Sequence, residues 1–127
     1  MKYTRSISML IFAAAFLAFG AAVAGEPPGA KQTVSPTISV YRSPTCGCCK
    51  NWLEHLRSSG FTVEDHLEAD MTPIKDRLGI PGAARSCHTA TIDGYLIEGH
   101  VPAADIRQLL SQRPWIKGLA VPGMVVG

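Results

Sequence analysis

The sequence predicts an α/β domain built from a small mixed sheet flanked by helices. From residue 37 onward, short segments of alternating apolar and polar residues, typical of strands, are interleaved with segments whose apolar residues recur at helical spacing. In addition, Asp93-Gly94 separates two strand segments directly and favours a tight hairpin turn. Strands joined through a helix tend to be parallel and hairpin strands are antiparallel, so the sheet contains both kinds of pairing.

The first half of the domain is predicted to have the order strand, helix, strand. Ile38 and Val40 alternate with polar neighbours, which is the pattern of a strand with one buried face. Trp52 and Leu56 then share one face of a helix, and Gly60 supplies its end. The two strands and the helix between them are predicted over 37–41, 61–67 and 48–59.

The second half is predicted to contain a short helix, a hairpin and a last helix. Asp70 or Thr72 is a suitable cap for the short helix, which Gly79 ends. Pro73 and Pro102 fit the first turns of the short helix and the last helix, where a proline loses no hydrogen bond. The hairpin strands are predicted over 89–92 and 95–98.

The first residues indicate a secretory signal peptide over 1–24. Lys2 and Arg5 give a positive start, residues 7–19 are uncharged and largely apolar, and Ala-Val-Ala at 22–24 is a small-residue cleavage signal. The apolar run is shorter than the roughly 20 residues that a helix needs to span a bilayer. We therefore expect cleavage, export to a bacterial periplasm and no stable membrane span afterwards, with an uncleaved anchor as the alternative.

Residues 25–36 are predicted to be a flexible linker, followed by one domain over 37–127. The first eight residues of the linker include two prolines and two glycines and offer little apolar surface to bury. The chain has 12 Lys and Arg against 10 Asp and Glu, and Lys2 and Arg5 of the leader account for the excess. The mature domain is therefore formally neutral, and without a basic block interleaved with aromatic residues we expect no nucleic-acid binding.

The cysteines carry the functional signal. Three of the four cysteines, Cys46, Cys48 and Cys49, lie within four positions, and the fourth adjoins an imidazole as Cys87-His88. A structural disulfide framework spreads its cysteines along the chain, because it gains most from closing long loops. Clustered sulfurs instead suit a soft metal ion or thiol redox chemistry, so we expect one of these at the junction between the first strand and the first helix.

The element order resembles the thioredoxin-like fold. In that fold the first strand ends where the third begins, and the antiparallel fourth strand finishes at the same end of the sheet. The resemblance implies that the cluster at 46–49 lies beside Cys87-His88, with His100 nearby, so that one site could hold all four sulfurs. The chain departs from an ordinary thioredoxin by the additional thiol of Cys48 and by having Cys87-His88-Thr89 where thioredoxins have a cis-proline.

Several unusual motifs also occur together and in the same order as in one family. On these motifs the chain resembles the CopG-like family of exported bacterial copper-resistance proteins. The resemblance implies a thioredoxin-like domain that binds copper through its cysteines, beside a copper efflux system or a periplasmic copper chaperone as partner. The matching stretches are 41–49, 86–90, 94–95, 98–102 and 118–124.

The metal can also be argued from the donor atoms. Thiolates select Cu(I), Zn(II) or an iron–sulfur cluster. Zinc prefers four well-separated ligands, whereas Cys48 and Cys49 are adjacent and cannot easily both reach one ion, although their sulfurs can bridge several Cu(I) ions. Together with the family resemblance, these preferences favour copper as Cu(I), and the bridging sulfurs allow a site with several ions. The predicted metal ligands are Cys46, Cys48, Cys49, Cys87 and His88, with His100 and Met124 as further candidates.

Two other functions stay open at this point, a thiol–disulfide oxidoreductase without a metal role and a structural zinc module. Four cysteines allow three pairings, and a thioredoxin-like fold favours Cys46 with Cys49, leaving Cys48 with Cys87 as a second pair. A third hypothesis joins metal and redox chemistry: the thiols of Cys46 and Cys49 reduce Cu(II), which makes the domain a copper-linked thiol oxidoreductase.

The remaining histidines and the tryptophans are given structural roles. His55 is expected on an exposed helix face and His66 at a solvated strand end, so neither is placed in the site. Trp52 and Trp115 are both expected to pack in the core or against a helix.

Overall fold

The computed structural model of the protein describes residues 34–123. Its elements follow the predicted order, and the boundaries of the first helix and the four predicted strands agree to within one residue. The prediction of an α/β domain with a mixed sheet is therefore confirmed. The elements are β1 (Thr37–Arg42), α1 (Gly47–Ser58), β2 (Thr62–Leu67), α2 (Thr72–Arg77), a 3₁₀ turn (Gly82–Ala84), β3 (His88–Ile92), β4 (Tyr95–Glu98), α3 (Ala103–Gln112) and β5 (Gly118–Ala120).

Three of the predictions concern residues outside this range. They are the signal peptide over 1–24, the linker up to residue 33 and a metal-binding role for Met124. Residues 34–36 belong to no helix or strand. Within residues 34–123, no helix has the length and apolar character needed to cross a membrane.

The sheet has five strands in the order β2-β1-β3-β4-β5. The pairs β1/β2 and β4/β5 are parallel, and β3 is antiparallel to both of its neighbours. Arg42 at the end of β1 pairs with His88 at the start of β3, and Thr89 pairs with Glu98 at the end of β4. This register brings the start of α1, the start of β3 and the end of β4 to one end of the sheet.

One face of the sheet carries the hydrophobic core. Ile38, Val40 and Ala90 point to this face, and they form one cluster with Trp52 and Leu56 from α1. Each large apolar side chain that is fully buried in such a cluster stabilises the fold by roughly 1.5–3 kcal/mol. The apolar face of α1 therefore packs against the sheet, and this packing fixes the position of the first helical turn, which carries the cysteines. The members of the cluster from α3 are Ala103, Ile106 and Leu109.

The opposite face is covered in part by α2 through a polar contact. Side chains alternate between the two faces of a strand, so Thr89 lies on the other side of the sheet from its neighbours His88 and Ala90. The amino group of Lys75 from α2 donates to Thr89 Oγ1 at 2.8 Å on this face. Lys75 is 5% exposed, which is rare for a lysine.

Two features of the C-terminal part differ from the sequence prediction. β5 was not predicted as a strand, because three residues that begin with a glycine carry no readable alternation. The absence of a side chain at Gly118 is nevertheless required, since a Cβ there would lie 1.7 Å from the carbonyl oxygen of Leu96 on β4. The prediction that Trp115 packs in the core or against a helix is wrong: its side chain is fully exposed, in the connection between α3 and β5.

Candidate metal centre

The cysteine cluster occupies the turn between β1 and the first turn of α1. The turn is closed by a hydrogen bond from the Cys46 N–H to the Ser43 carbonyl oxygen, at 3.2 Å. Cys46 has an extended backbone and directly precedes Gly47, the first helical residue. Cys48 and Cys49 therefore lie in the first turn of the helix. Because β1 and α1 are both fixed by the core, the positions of these sulfurs are fixed as well.

All four sulfur atoms lie within 4.8 Å of one another. Cys46 and Cys49 form a disulfide, whereas Cys48 and Cys87 are free thiols. The Cys46 and Cys48 sulfurs are 3.4 Å apart. The pairing of Cys46 with Cys49 agrees with the sequence prediction, and the second pair, Cys48 with Cys87, is not formed. Cys49 is fully buried and the other three are partly exposed, so a solute ion can reach the cluster.

Two histidines extend the cluster on the Cys87 side. Cys87, His88 and His100 each have one donor atom within 4.8 Å of the others. His88 is completely buried, with Nδ1 at 3.3 Å from the Cys87 sulfur and Nε2 at 2.8 Å from the Gly99 carbonyl oxygen. Its ring stacks on Trp52, with 4.3 Å between the ring centroids. The His88 and His100 rings are 5.1 Å apart. The two groups share Cys87 and together contain every predicted site residue among residues 34–123.

Burial sets the ionisation of these groups. It lowers the pKa of His88 to about 4, and it also lowers the pKa of His100. Both imidazoles are therefore neutral near pH 7, which is the form that binds metal ions. Burial raises the pKa of the Cys87 thiol, so this residue is protonated near pH 7.

A buried ion pair supports the segment that carries Cys87. Glu98, at the end of β4, accepts hydrogen bonds from the Ser86 backbone N–H at 2.7 Å and from the Lys75 ammonium group. Thr89 joins the pair by accepting from Lys75 and donating to the second carboxylate oxygen of Glu98. The residue before Cys87 is thereby held to the sheet through a charged group that is 2% exposed.

Sequence reasoning did not identify Lys75 and Glu98 as a pair. Two weak signals were present. Glu98 ends an otherwise apolar strand, and Lys75 adjoins Ile74, which is buried on the inner side of α2. A charged residue in an apolar stretch indicates a buried partner, but the sequence does not say which one.

The last described residues pass over the same end of the sheet. The Val121 N–H donates to the Glu98 carbonyl oxygen at 2.9 Å, and the Ser86 hydroxyl donates to the Gly123 carbonyl oxygen. Gly99 permits this close approach, because a Cβ there would lie 2.4 Å from the Val121 oxygen and its φ of +74° is unfavourable for other residues. Gly123 therefore lies beside the residue that precedes Cys87.

The other two histidines lie elsewhere, as expected. His66 is exposed on β2 and stacks on Tyr41, with 4.9 Å between the ring centroids. His55 is also exposed, and its Nε2 accepts the Ala103 N–H at the start of α3 at 3.2 Å. Neither residue belongs to the groups of candidate ligands among residues 34–123.

Two solved structures are similar to this chain over most of its length. One, described as "Copper resistance protein copG- Form 2", is 55% identical, with a TM-score of 0.69 over 73% of this chain and 74% of the other. The second, described as "Copper resistance protein copG- Form 1", is also 55% identical, with a TM-score of 0.66 over 71% of this chain and 72% of the other. The chain belongs to the CopG family. The family assignment made from the sequence motifs is thus confirmed.

A family model overlaps the second half of this CopG-family chain. The model, described as "Protein of unknown function, DUF411", matches residues 84–127. The matched part contains Cys87, His88 and His100 but not the cluster at 46–49. No curated protein sequence matches the chain significantly.

Proposed function

We propose that this CopG-family domain is a copper-binding protein of copper resistance and homeostasis, which holds Cu(I) through clustered thiolates. The observation that supports the proposal is the mutual distance of at most 4.8 Å among the four sulfurs. Reduction of the Cys46–Cys49 disulfide provides four thiol donors in this space. Four soft donors suit Cu(I), which prefers sulfur and accepts low coordination numbers.

The adjacent positions of Cys48 and Cys49 support a site in which cysteine sulfurs bridge several Cu(I) ions. Cys48 and Cys49 are adjacent on one helical turn, so their sulfurs serve different ions more easily than one tetrahedral ion. His88 is the proposed fifth ligand or support, because its Nδ1 faces the Cys87 sulfur at 3.3 Å. Met124 is a further proposed donor, since it directly follows Gly123, whose carbonyl oxygen accepts a hydrogen bond from Ser86.

The test is an anaerobic Cu(I) titration of the reduced mature protein, in competition with a coloured Cu(I) chelator. We expect more than one Cu(I) per chain, and a lower stoichiometry or affinity for each single Cys→Ser variant at 46, 48, 49 and 87. Ser58→Cys is the matched control, because it adds a thiol at the far end of α1, about 16 Å along the helix axis, and is expected to add no Cu(I). One tightly held Zn(II) and no Cu(I) would instead establish the structural zinc module.

A second candidate function is copper-linked thiol oxidation. The disulfide of Cys46 with Cys49, next to two free thiols, favours it. In the proposed step each of two Cu(II) ions accepts one electron, the Cys46 and Cys49 thiols lose two electrons and two protons to form the disulfide, and two Cu(I) ions result. Reduced protein mixed anaerobically with Cu(II) is expected to lose two thiols for every two Cu(I) ions formed; intact thiols with no Cu(I) would exclude it.

The metal-free alternative is a thiol–disulfide oxidoreductase. Its thiol exchange would require only Cys46 and Cys49, so activity that persists with Cys48 or Cys87 replaced would favour it. The order β1-α1-β2, the β3-β4 hairpin and α3, with this disulfide at the start of α1, support a thioredoxin-like assignment. We further propose a periplasmic domain over 37–127, exported by the leader at 1–24, with a copper efflux system or copper chaperone as partner.

A further inference from the structure

We propose that Cys87, His88 and His100 form a second metal subsite, with one sulfur and two nitrogen donors, that binds a single divalent copper ion beside the thiolate site. The proposal goes beyond the Cu(I) function and rests on it only for the identity of the metal. The two sites share the sulfur of Cys87. None of the three residues takes part in the Cys46–Cys49 disulfide, so this subsite keeps its donors when the thiolate site has lost two.

The first argument is the distance between the two donors that adjoin each other in sequence. The Cys87 sulfur and His88 Nδ1 are 3.3 Å apart. An ion with a metal–sulfur bond of about 2.3 Å and a metal–nitrogen bond of about 2.0 Å joins two such atoms at an angle of about 100°. That angle lies between octahedral and tetrahedral values, so both donors can bind one ion without moving.

The second argument is the orientation of the His88 ring. A carbonyl oxygen can only accept hydrogen bonds, so the contact of Nε2 with the Gly99 oxygen places the proton on Nε2. The lone pair of the neutral ring is then on Nδ1 and faces the Cys87 sulfur. A histidine that binds metal commonly donates its other N–H to such an oxygen, which fixes the tautomer and the ring. Stacking on Trp52 restrains the ring further.

The third argument is the unsatisfied nitrogen of His100. Among the side-chain nitrogen and oxygen atoms of residues 34–123 that are buried, only Nε2 of His100 has no hydrogen-bond partner. Leaving such an atom unpaired costs about 1–3 kcal/mol. The ring lies 5.1 Å from that of His88, and one of its nitrogens lies within 4.8 Å of the other two donor atoms. Binding of the ion by Nε2 would remove this cost.

The donor set fits copper and favours its divalent state. Imidazole nitrogen suits divalent transition metals, and Cu(II) binds most tightly in that series. Two histidines with one cysteine is a donor set of copper electron-transfer sites. The four-sulfur site prefers Cu(I), so the arrangement provides adjacent places for the two oxidation states of copper, with the Cys87 sulfur common to both.

The test uses the oxidised Cys48→Ser variant, in which the Cys46–Cys49 disulfide remains and Cys87 is the single free thiol. Co(II) is the first probe, because it does not oxidise thiols and shows a thiolate-to-metal charge-transfer band. We expect one Co(II) per chain with this band, and then one Cu(II) with nitrogen hyperfine coupling in its electron paramagnetic resonance spectrum.

Two further substitutions in the Cys48→Ser variant test which residues bind Co(II) and produce the charge-transfer band. Removing the sulfur with Cys87→Ser is expected to abolish it, and His100→Leu is expected to weaken Co(II) binding at least tenfold. His100→Gln serves as a second variant if the leucine variant is not folded by circular dichroism. His66→Ala is the control, because this histidine is exposed on β2 and outside the candidate groups. Loss of binding in the control, or unchanged binding in folded His100 variants, would overturn the subsite.

The reduced wild-type protein, titrated with Cu(I) in parallel, separates the two proposals. Cu(I) binding without any Co(II) binding overturns the subsite and leaves the Cu(I) function standing. Co(II) binding without any Cu(I) binding overturns the Cu(I) function and leaves a metal subsite of one sulfur and two nitrogens.

Discussion

Replacing Glu98 by alanine (Glu98→Ala) is expected to lower the free energy of unfolding by about 3–5 kcal/mol, because it breaks a buried ion pair by removing one partner. Glu98 is 2% exposed and Lys75 is 5% exposed. In the variant the buried ammonium group of Lys75 keeps only the hydroxyl of Thr89 as a hydrogen-bond partner. The Ser86 N–H loses its acceptor. Removal of one carboxylate therefore leaves both a charge and a backbone donor unsatisfied.

Urea unfolding of the oxidised protein, followed by circular dichroism, measures this loss. Glu54→Ala is the matched control: Glu54 pairs with Arg57 on the exposed side of α1, and an exposed pair contributes about 0–1 kcal/mol. The double variant Lys75→Met/Glu98→Leu is expected to recover much of the stability, since apolar residues of similar size leave no buried charge. A loss below about 1 kcal/mol for Glu98→Ala would contradict the account of the ion pair.

Oxidation of Cys46 and Cys49 to the disulfide is expected to weaken Cu(I) binding by at least about 100-fold. Loss of one residue that merely supports a metal ligand costs about 10–100-fold in affinity. The disulfide removes two of the four sulfur donors themselves, because a sulfur bonded to another sulfur is no longer a thiolate. The proposal therefore ties the Cu(I) affinity of the thiolate site to the redox state of one cysteine pair.

Competition with a Cu(I) chelator under argon measures the difference, before and after reduction with a phosphine that is then removed. The double variant Cys46→Ser/Cys49→Ser is the control. It cannot form the disulfide, so its Cu(I) affinity is expected to be low and unchanged by the reductant. Equal affinities of the oxidised and the reduced wild-type protein would contradict the coupling.

Together, the two copper proposals assign a different site to each redox state of the cysteine pair. With the pair reduced, four thiols are available for Cu(I); with the pair oxidised, Cys87, His88 and His100 still offer one sulfur and two nitrogens. A copper ion needs only a short movement between adjacent donors to pass from one proposed site to the other. The structural basis is the shared Cys87 sulfur, held in place through Ser86 and Glu98.

Much of the fold could be predicted from local patterns. The spacing of apolar residues predicts the strands β1, β3 and β4 and the apolar face of α1. The turn at Asp93-Gly94 predicts the hairpin of β3 with β4. β5 could not be predicted, because its pairing depends on the bare backbone of Gly118 fitting against Leu96. The exposure of Trp115 could not be predicted either, since an aromatic residue usually packs inside a domain.

The candidate site divides in the same way. By itself the sequence determined the order of the elements, the clustering of Cys46, Cys48 and Cys49, and the family, because these depend on residue type and spacing alone. Only the tertiary structure decided that Glu98 binds the backbone of Ser86 directly and pairs with a lysine 23 residues away, and that a nitrogen of His100 is buried without a partner. The physical reason is that hydrogen-bond partners and burial depend on strand register and packing, which bring together residues distant in sequence. Helices and strands, in contrast, are indicated by the pattern of residues adjacent in sequence.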